Sequence, residues 1–307
     1  MEQKRLNIIA KWFLKYTDRS AYINYKAGRK NIKLTRQFYE TTKNFNHLLL
    51  KHPHKELTSF KHSGNSGDII YSLPTVWELS KKGKAAFYLQ LNQRAQYNNY
   101  HPLGNVMLNE RMVTMLKPLL LYQPQCKSCE IYSNNEVDYD LDDFRKFVPL
   151  QDRGSIARWY FYVYAVFPSL SDPWLIAPKD PSLKDAILIA RSHRYRNPHI
   201  SYSFLQKYSN IKFIGIEEEF LDMKTEIPGL EYIQVNDFLE MATCINSCKL
   251  FIGNQSFPFS IAEGLKVNRL LEVYHLSPNV IVEGPGAHDF LYQPQFEKTV
   301  DEFVLNL

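Results

Sequence analysis

The sequence has few cysteines and no long apolar run, and each shortage excludes a class of protein. Four cysteines among 307 residues do not indicate a disulfide scaffold, so we expect a reducing cytoplasm. No run of about 18 uncharged apolar residues occurs, which predicts that no helix spans a membrane. Lysines interrupt the first apolar segment and no small-residue cleavage site follows it, so a secretory signal is not expected. Neither a Walker-type phosphate loop nor a Gly-x-Gly-x-x-Gly fingerprint is present.

What remains is a globular composition, with 45% hydrophobic and 22% charged residues, whose charge is unevenly distributed. Residues 1–62 contain 14 Lys or Arg against 4 Asp or Glu, a net charge of +10. The rest contains 23 basic and 28 acidic residues, a net charge of −5. This asymmetry favours contact between the N-terminal segment and a phosphate-rich surface, either anionic lipid or nucleic acid.

Residues 1–56 are predicted to form a basic helical extension. Apolar residues recur there at helical spacing, namely Leu6, Ile9, Trp12, Phe13, Tyr16, Leu34, Phe38, Phe45, Leu48 and Leu49. Such helices either pack on the neighbouring domain or bind an external surface. We expect packing on the first domain, and keep peripheral contact with the inner face of a membrane as the alternative.

The remaining chain reads as two α/β halves. Residues 57–168 begin with a strand, a Gly-rich turn, a helix and a second strand, and end in an aromatic helix. Residues 169–185 are rich in Pro, Ser and Asp and are predicted to be a linker. Strands and helices alternate again over residues 186–307, with a helix expected near Tyr202–Tyr208. The predicted fold class is therefore α/β, with two halves of similar construction joined by a Pro-rich linker.

Each half places small polar residues where an early strand leads into a helix. The first junction contains Ser63, Gly64, Asn65, Ser66 and Gly67. The second lies in "KLFIGNQSFPFSIAEGLKVNRLLEVY", residues 249–274. Free N–H groups and the helix dipole make such a junction an anion site, although the same residues also serve as ordinary helix caps.

The two junctions together resemble a known enzyme family. "SGNSGDIIYSLPTVWEL" and "CKLFIGNQSFPFSIAEGLKVNRLLEVY" are similar to the two signatures of the heptosyltransferase group, glycosyltransferase family nine. The resemblance implies a GT-B fold, in which two Rossmann-like domains face each other across a cleft. It implies transfer of a sugar from a nucleotide diphosphate donor to a hydroxyl acceptor. It also implies inversion at the sugar and no metal or other cofactor.

The resemblance assigns the first junction to the acceptor and to catalysis. Asp68 matches the family's proposed general base, with residues 63–67 as the acceptor-side loop. A carboxylate at the mouth of the cleft can take the proton of the acceptor hydroxyl. The alternative is that Asp68 only caps its helix.

The second junction is assigned to the donor diphosphate through Asn254, Gln255 and Ser256, with Glu263 as a contact to the donor sugar or ribose. This chain departs from the family's Asn-Asp-Ser-Gly pattern at Gln255 and Phe257. It departs again at Ser260, where the family has His, and Pro258 removes one N–H donor. These departures leave the sugar and the nucleotide open.

Basic residues follow the first strand of the second half, where the family neutralises the leaving diphosphate. Arg191, Arg194 and Arg196 are the candidates in "ARSHRYRNPHISY", and a solvated basic loop is the alternative. The acceptor is expected to be a surface glycan of the lipopolysaccharide type or, alternatively, a hydroxymethylated base in duplex DNA. The pattern also fits a nucleotide-sugar epimerase, or a non-catalytic protein that binds a nucleotide or a glycan.

Two further patterns resemble metal motifs. Asp138-Tyr139-Asp140 has the Asp-x-Asp spacing, but we interpret it as an acidic loop. The cysteines form two closely spaced pairs in different halves (Cys126 with Cys129, Cys244 with Cys248), and we interpret them as buried free thiols. No metal site is predicted.

Overall fold

The structure is a computed structural model that describes residues 4–43, 55–95, 104–147 and 151–305. The helices in these residues are α1 (Ile8–Thr17), α2 (Arg19–Thr42), α3 (Ser66–Leu79), α4 (Glu110–Tyr122), α5 (Asp143–Phe147), α6 (Ile156–Tyr164), α7 (Glu217–Glu226), α8 (Phe238–Ser247), α9 (Phe257–Leu265) and α10 (Gln293–Leu305). The strands are β1 (Leu57–His62), β2 (Lys84–Leu89), β3 (Cys126–Ile131), β4 (Tyr139–Asp140), β5 (Ile187–Ala190), β6 (Ile211–Ile214), β7 (Glu231–Ile233), β8 (Leu250–Asn254), β9 (Arg269–Glu272) and β10 (Ala287–Phe290).

The strands form two parallel sheets, as the alternating pattern predicts. The first has the order β3-β2-β1-β4 and the second the order β10-β9-β8-β5-β6-β7. In each sheet the chain first moves outward on one side of its first strand and later returns to the other side. The strand order therefore reverses between β1 and β4, and again between β5 and β8. Crevices at the carboxyl ends of strands at such switch points are where open parallel sheets bind ligands.

One apolar core joins the two sheets. Helix α3 packs on α9 and α4 packs on α8, and their buried residues form a single cluster with strands of both sheets. A second cluster covers the other face of the second sheet. Strands β5 and β8 are buried along their whole length, which explains their nearly continuous apolar sequence. The two sheets lie on either side of the predicted linker, while the exact domain boundaries remain a prediction.

Helices α1 and α2 form a hairpin at the N-terminus. Asp18 lies between them, and its side chain accepts the Ala21 N–H at 2.9 Å as the N-cap of α2. The Leu6 N–H donates to the Tyr25 hydroxyl at 3.0 Å, which ties the start of α1 to α2. Helix α2 contacts α5. The predicted helical positions Phe45, Leu48 and Leu49 lie outside the described residues. Among the described residues, no helix is long and apolar enough to cross a membrane.

Local boundaries differ from the sequence prediction in three places. Helix α3 already begins at Ser66, so Ser66 and Gly67 lie in its first turn and not in the preceding loop. The aromatic helix α6 ends at Tyr164, because Ala165 adopts a left-handed conformation with φ of 51°. The helix expected near Tyr202–Tyr208 is a short 3-10 segment over Ser203–Lys207.

Candidate active site

Asp68 lies in the first turn of α3, at the switch point of the first sheet. Its Oδ2 accepts a hydrogen bond from Arg145 Nη2 at 2.7 Å and from the Asn65 N–H at 3.3 Å. The structure thus shows the capping contact that the sequence left as an alternative, together with an ion pair on the same oxygen. The Asp68 side chain is 16% exposed. Within the described part of the chain, Oδ1 is the oxygen left to accept a proton from a substrate.

Arg145 comes from α5, which follows β4 on the other side of the switch point. Its other terminal nitrogen pairs with Asp142 Oδ1, an oxygen that also accepts the Ser63 N–H at 3.1 Å. The guanidinium carbon lies 4.5 Å from the centre of the Phe144 ring. Burial lowers the pKa of Arg145, but the negative charges around it, Asp68 foremost, raise that pKa above its ordinary value. Arg145 is therefore a fixed cation between two carboxylates.

His62 lies beneath this ion pair and is fully buried. Its Nδ1 accepts the Gly64 N–H at 2.8 Å, so the neutral ring carries its proton on Nε2. That Nε2 lies 2.9 Å from the Tyr160 hydroxyl, which donates to the backbone carbonyl of Asp68 at 3.1 Å. Burial lowers the pKa of His62 to about 4, so the ring is neutral near pH 7. His62, Asp68, Asp142, Arg145 and Tyr160 are called the base cluster below.

The second switch point is built from the loop after β5, residues 191–197, and from residues 254–256 at the start of α9. These segments are called the donor edge. Asn254 is fully buried and fastens them together, since its side chain accepts the Ser192 N–H at 3.1 Å and donates to the Ser192 carbonyl at 2.7 Å. Ser256 occupies the N-cap of α9, yet its hydroxyl is buried and lacks a hydrogen-bond partner among the described residues. In the first turn of α9, Pro258 has no N–H and the Phe259 N–H donates to the Ser256 carbonyl at 3.0 Å, so the Phe257 N–H is the donor beside the unpartnered hydroxyl. A hydroxyl and a backbone N–H at a helix N-terminus suit an anionic ligand.

The side chain of Gln255, in the donor edge, is engaged in hydrogen bonds within the protein. Its Nε2 donates to the Ser277 carbonyl and to Asn279 Oδ1, both at 2.8 Å, and its Oε1 accepts the Tyr274 N–H at 2.8 Å. Asn279 in turn donates to the Gln151 carbonyl of the first half at 3.0 Å. The Gln255 side chain therefore anchors the loop after β9, which joins the two halves beside the cleft.

The three predicted arginines occupy different environments. Arg191 is 1% exposed, and its Nε and Nη2 bind the two carboxylate oxygens of Glu272 at 2.7 and 3.1 Å. Arg196 pairs with Asp222. Arg194 is exposed. Arg191 therefore holds the loop against the sheet, and Arg194 is the one of the three whose side chain faces solvent.

The base cluster and the donor edge meet across the cleft. Arg194 lies over the Tyr195 ring, 4.7 Å from its centre. Burial raises the pKa of the Tyr195 phenol, and among nearby charges Arg194 lowers that pKa while Asp68 raises it. Tyr195 therefore lies within electrostatic reach of both halves. A methyl group added at Gly67 would lie 3.9 Å from the Phe257 Cα, so the first turns of α3 and α9 are adjacent.

Glu263, predicted to contact the donor sugar or ribose, lies in a buried ion-pair cluster. Its Oε2 accepts from Arg269 Nε, and its Oε1 accepts from Lys266 Nζ and from the Glu283 N–H at 3.1 Å. The side chain is 2% exposed. Its role in donor binding remains a prediction that this geometry does not favour.

The two metal-like motifs also have partners in the protein. Asp138 accepts the Ser59 N–H at 2.8 Å and pairs with Lys55, while Asp140 pairs with Lys61 at 2.8 Å. The four cysteines are free thiols, of which only Cys129 is fully buried, and burial raises its pKa to about 12. In the described ranges no three His, Cys, Asp or Glu residues are grouped so as to hold a metal ion.

Sequence reasoning missed four residues of this site: His62, Arg145, Tyr160 and Tyr195. Arg145 stands in the stretch "DDFRKF", which reads as part of an acidic loop. The sequence carries no local signal for this role, because the strand before the stretch, β4, is only the two residues Tyr139–Asp140. Without knowing that β4 pairs with β1, one has no reason to place Arg145 beside Asp68.

Solved structures resemble this fold, whereas no protein-family model and no curated protein matches the sequence. Escherichia coli ADP-heptose LPS heptosyltransferase II matches with a TM-score of 0.52 and 11% identity, over 82% of this chain and 99% of its own. E. coli heptosyltransferase WaaC, solved with ADP-2-deoxy-2-fluoro heptose, matches with a TM-score of 0.52 and 8% identity, over 80% and 99%. A glycosyl transferase family 9 protein from Veillonella parvula matches with a TM-score of 0.50 and 12% identity, over 83% and 90%. At such identity the similarity shows the fold, and the predicted GT-B architecture is confirmed.

Proposed function

We propose that this protein is a glycosyltransferase that moves a sugar from a nucleoside diphosphate donor to a hydroxyl acceptor. The observation that carries the proposal is the position of the two candidate clusters. The base cluster lies at the switch point of one sheet and the donor edge at the switch point of the other, with α3 and α9 beginning side by side. This arrangement holds an acid–base group and an anion site on opposite walls of one cleft.

In this mechanism Asp68 is the general base. Arg145 and the Asn65 N–H hold Oδ2, and Oδ1 takes the proton of the acceptor hydroxyl. As that proton leaves, the acceptor oxygen bonds to the anomeric carbon, and the bond from this carbon to the diphosphate oxygen breaks on the opposite face. Attack from one face and departure from the other invert the anomeric centre. Arg145 acts through Asp68 and is a positioning residue.

The donor edge binds the diphosphate and stabilises its departure. The Phe257 N–H at the start of α9, the Ser256 hydroxyl and the Arg194 guanidinium supply hydrogen bonds and positive charge to the phosphate oxygens. Together they stabilise the negative charge that develops on the leaving group. Arg191 and Asn254 hold the two segments of the donor edge in place and need not touch the ligand.

The fold neighbours suggest which substrates to test first. One neighbour is named an LPS heptosyltransferase and another was solved with an ADP-sugar. We therefore propose an ADP-sugar donor and a saccharide acceptor of the lipopolysaccharide type. Duplex DNA with hydroxymethylated bases is the comparison acceptor in such assays.

The experiment is a thermal-shift screen of the full chain with ADP-, UDP-, GDP-, CMP- and dTDP-sugars, using paired variants at Ser256. Asn and Asp are both good N-caps, so Ser256→Asn and Ser256→Asp should leave α9 intact. Only Asp places a negative charge where the diphosphate is proposed to bind. We expect one nucleotide class to raise the melting temperature of the wild type and Ser256→Asn, but not of Ser256→Asp.

Arg194→Ala tests the guanidinium contact with the same donor. Losing a charge-assisted hydrogen bond should weaken donor binding by about tenfold. Arg111→Ala, which alters an exposed arginine on α4, should leave donor affinity unchanged. If no nucleotide sugar stabilises the wild type, or if Ser256→Asp binds as well as the wild type, the proposed donor site is wrong.

A further inference from the structure

Helix α1 presents an apolar stripe to solvent. Ile8, Ile9, Trp12, Phe13 and Tyr16 lie along one side of this helix and are between 63% and 84% exposed. Their spacing of three and four residues places them on a single face over two turns. A contiguous exposed apolar face on a helix marks an interaction surface, whereas apolar residues scattered singly do not.

Among the described residues, the stripe is not the face of α1 that packs against the rest of the protein. The partly buried positions of α1 are Ala10, Lys11 and Leu14, on the opposite side of the helix. Helix α1 contacts α2, and these three positions are the ones along α1 that lose exposure. More apolar side chains therefore point outward than inward, which is the reverse of a helix that merely caps a domain.

The hairpin that carries the stripe is strongly basic. Residues 4–43 contain 11 Lys or Arg and only 2 acidic residues. Lys15 and Arg19 are exposed beside the stripe, and Lys4 and Arg5 are exposed just before it. The combination of an exposed apolar face and flanking basic residues is that of a helix lying in the interface of an anionic membrane.

We propose that the outward face of α1 docks on an anionic lipid bilayer, with the helix lying parallel to the surface. The ring of Trp12 would sit at the boundary between headgroups and acyl chains, a position that Trp favours. Ten residues are far fewer than the roughly 20 that a membrane-spanning helix needs, so α1 lies on the bilayer and does not cross it.

Two other occupants fit the stripe less well. Nucleic acid would use the positive charge, but Ile8, Ile9 and Phe13 offer no hydrogen bond to phosphate or bases. A second copy of this chain would bring together two hairpins with the same high positive charge, over a stripe of only two helical turns. A bilayer satisfies both the apolar stripe and the charge.

Docking would also tether the candidate site to the membrane through the hairpin. Helix α2 contacts α5, and α5 carries the Arg145 that binds Asp68. An acceptor saccharide carried on a lipid would then be held on the same surface as the protein. This consequence rests on the proposed function, whereas docking itself does not and is measured without any donor.

The experiment is flotation of the full chain with two kinds of vesicle: phosphatidylcholine alone, and phosphatidylcholine with about one third phosphatidylglycerol. The wild type should float with the anionic vesicles, and high salt should weaken this binding. The double variant Ile9→Glu/Phe13→Glu should lose at least about tenfold in partitioning, since it buries charge in place of the stripe. Phe167→Glu alters a side chain that is 80% exposed outside the hairpin and should bind like the wild type.

Tryptophan fluorescence supplies the second measurement. Trp12 is 63% exposed, whereas Trp159 and Trp174 are buried. Anionic vesicles should therefore shift the emission of the wild type to the blue. Trp12→Phe should still float but lose most of that shift.

Three outcomes would overturn the proposal. The first is equal flotation of the wild type and the double variant. The second is tight, salt-sensitive binding of duplex DNA without vesicle binding. The third is self-association in sedimentation that the double variant abolishes, again without vesicle binding. Circular dichroism should show that each variant retains wild-type helix content.

Discussion

The two walls of the candidate cleft differ in the groups at their centres. The base cluster is an ionic network in which Arg145 fixes the carboxylates of Asp68 and Asp142. In the donor edge the Asn254 amide joins the two segments by neutral hydrogen bonds, the Ser256 hydroxyl has no partner among the described residues, and the ion pair of Arg191 with Glu272 holds the loop from behind. A general base needs a fixed negative charge, whereas a diphosphate site must keep carboxylates out of the place the phosphates occupy. This difference fits a cleft in which one wall supplies the general base and the other binds the diphosphate.

Removing the negative charge of Asp68 should have the largest effect and should distinguish the function of one wall from that of the other. Asp68→Asn keeps the shape of the side chain but cannot accept the proton. We expect sugar transfer to fall by about 10²- to 10⁴-fold while donor affinity stays unchanged. Glu78→Gln, at the other end of the same helix, is the matched control and should transfer sugar normally. Turnover by Asp68→Asn at the wild-type rate would remove Asp68 from the mechanism.

The next effect is the part of the pH dependence of the free energy of unfolding that His62, in the base cluster, contributes. Burial holds the pKa of His62 at about 4 in the folded chain, below its ordinary 6.5. Between these values the unfolded chain binds a proton that the folded chain does not, so stability should fall as pH drops through this window. Across the whole window the free energy of unfolding should fall by about 3 kcal/mol.

His62→Gln should remove that part of the pH dependence. The glutamine amide can still reach the Tyr160 hydroxyl, so comparing the slope of stability with pH is more informative than comparing absolute stability. Denaturant unfolding of the wild type and the variant across the window measures it. His288→Gln, which changes an exposed imidazole, is the control. Identical slopes in the wild type and His62→Gln would show that His62 does not resist protonation.

Two glycines at the first junction test how tightly the base cluster is packed. A methyl group at Gly64 would lie 2.2 Å from Arg145 Nη2 and 2.7 Å from Asp68 Oδ2. At Gly67 the nearest atoms, on Phe257 and Ser260, would be 3.9 Å away, an ordinary contact. Gly64→Ala should therefore displace the ion pair and lower the transfer rate by about tenfold to a hundredfold.

Gly67→Ala is the matched control for this change, because it adds the same methyl group to a helical position where there is room. It should lower the transfer rate much less than Gly64→Ala and should not lower the melting temperature. Both variants should bind the donor like the wild type, since neither alters the donor edge. Equal activity in the two variants would mean that the spacing around Arg145 is unimportant for transfer.

The sequence predicted the parts of this structure that depend on local pattern. Alternating apolar strands and helices indicated the two parallel sheets, and small polar residues marked both strand–helix junctions. These features are readable because a buried parallel strand and a helix start each leave a signature within about ten residues. Asp68 became a candidate base through the resemblance of this junction to the heptosyltransferase signature.

What the sequence did not predict depends on contacts between distant segments. Asp68 and Arg145 meet only because β4 pairs with β1. Arg191 reads as a phosphate ligand from its position after β5, but the fold places it against Glu272, 81 residues away. Glu263 has partners close by in the chain, Lys266 and Arg269, but the sequence does not show that all three are buried together. Tertiary packing decides whether a charged side chain faces a ligand or another charge, and local periodicity in the sequence does not report that packing.

The smallest predicted effect is a pH dependence of opposite sign on the donor-edge wall. Glu219 accepts the His193 N–H at 3.2 Å and so holds the loop after β5. Burial raises the pKa of this carboxyl from 4.5 to about 7, so the folded chain keeps a proton that the unfolded chain releases. Stability should therefore fall as pH rises through this window, where His62 makes it fall as pH drops. Because the side chain is partly exposed, the effect is small. Glu219→Gln should increase the free energy of unfolding by only about 1 kcal/mol more at high pH than at low pH. Glu218→Gln, at the exposed neighbouring position, is the control and should not change the pH dependence of the free energy of unfolding. An equal stabilisation by both variants would show that net charge causes the effect and that burial of Glu219 does not.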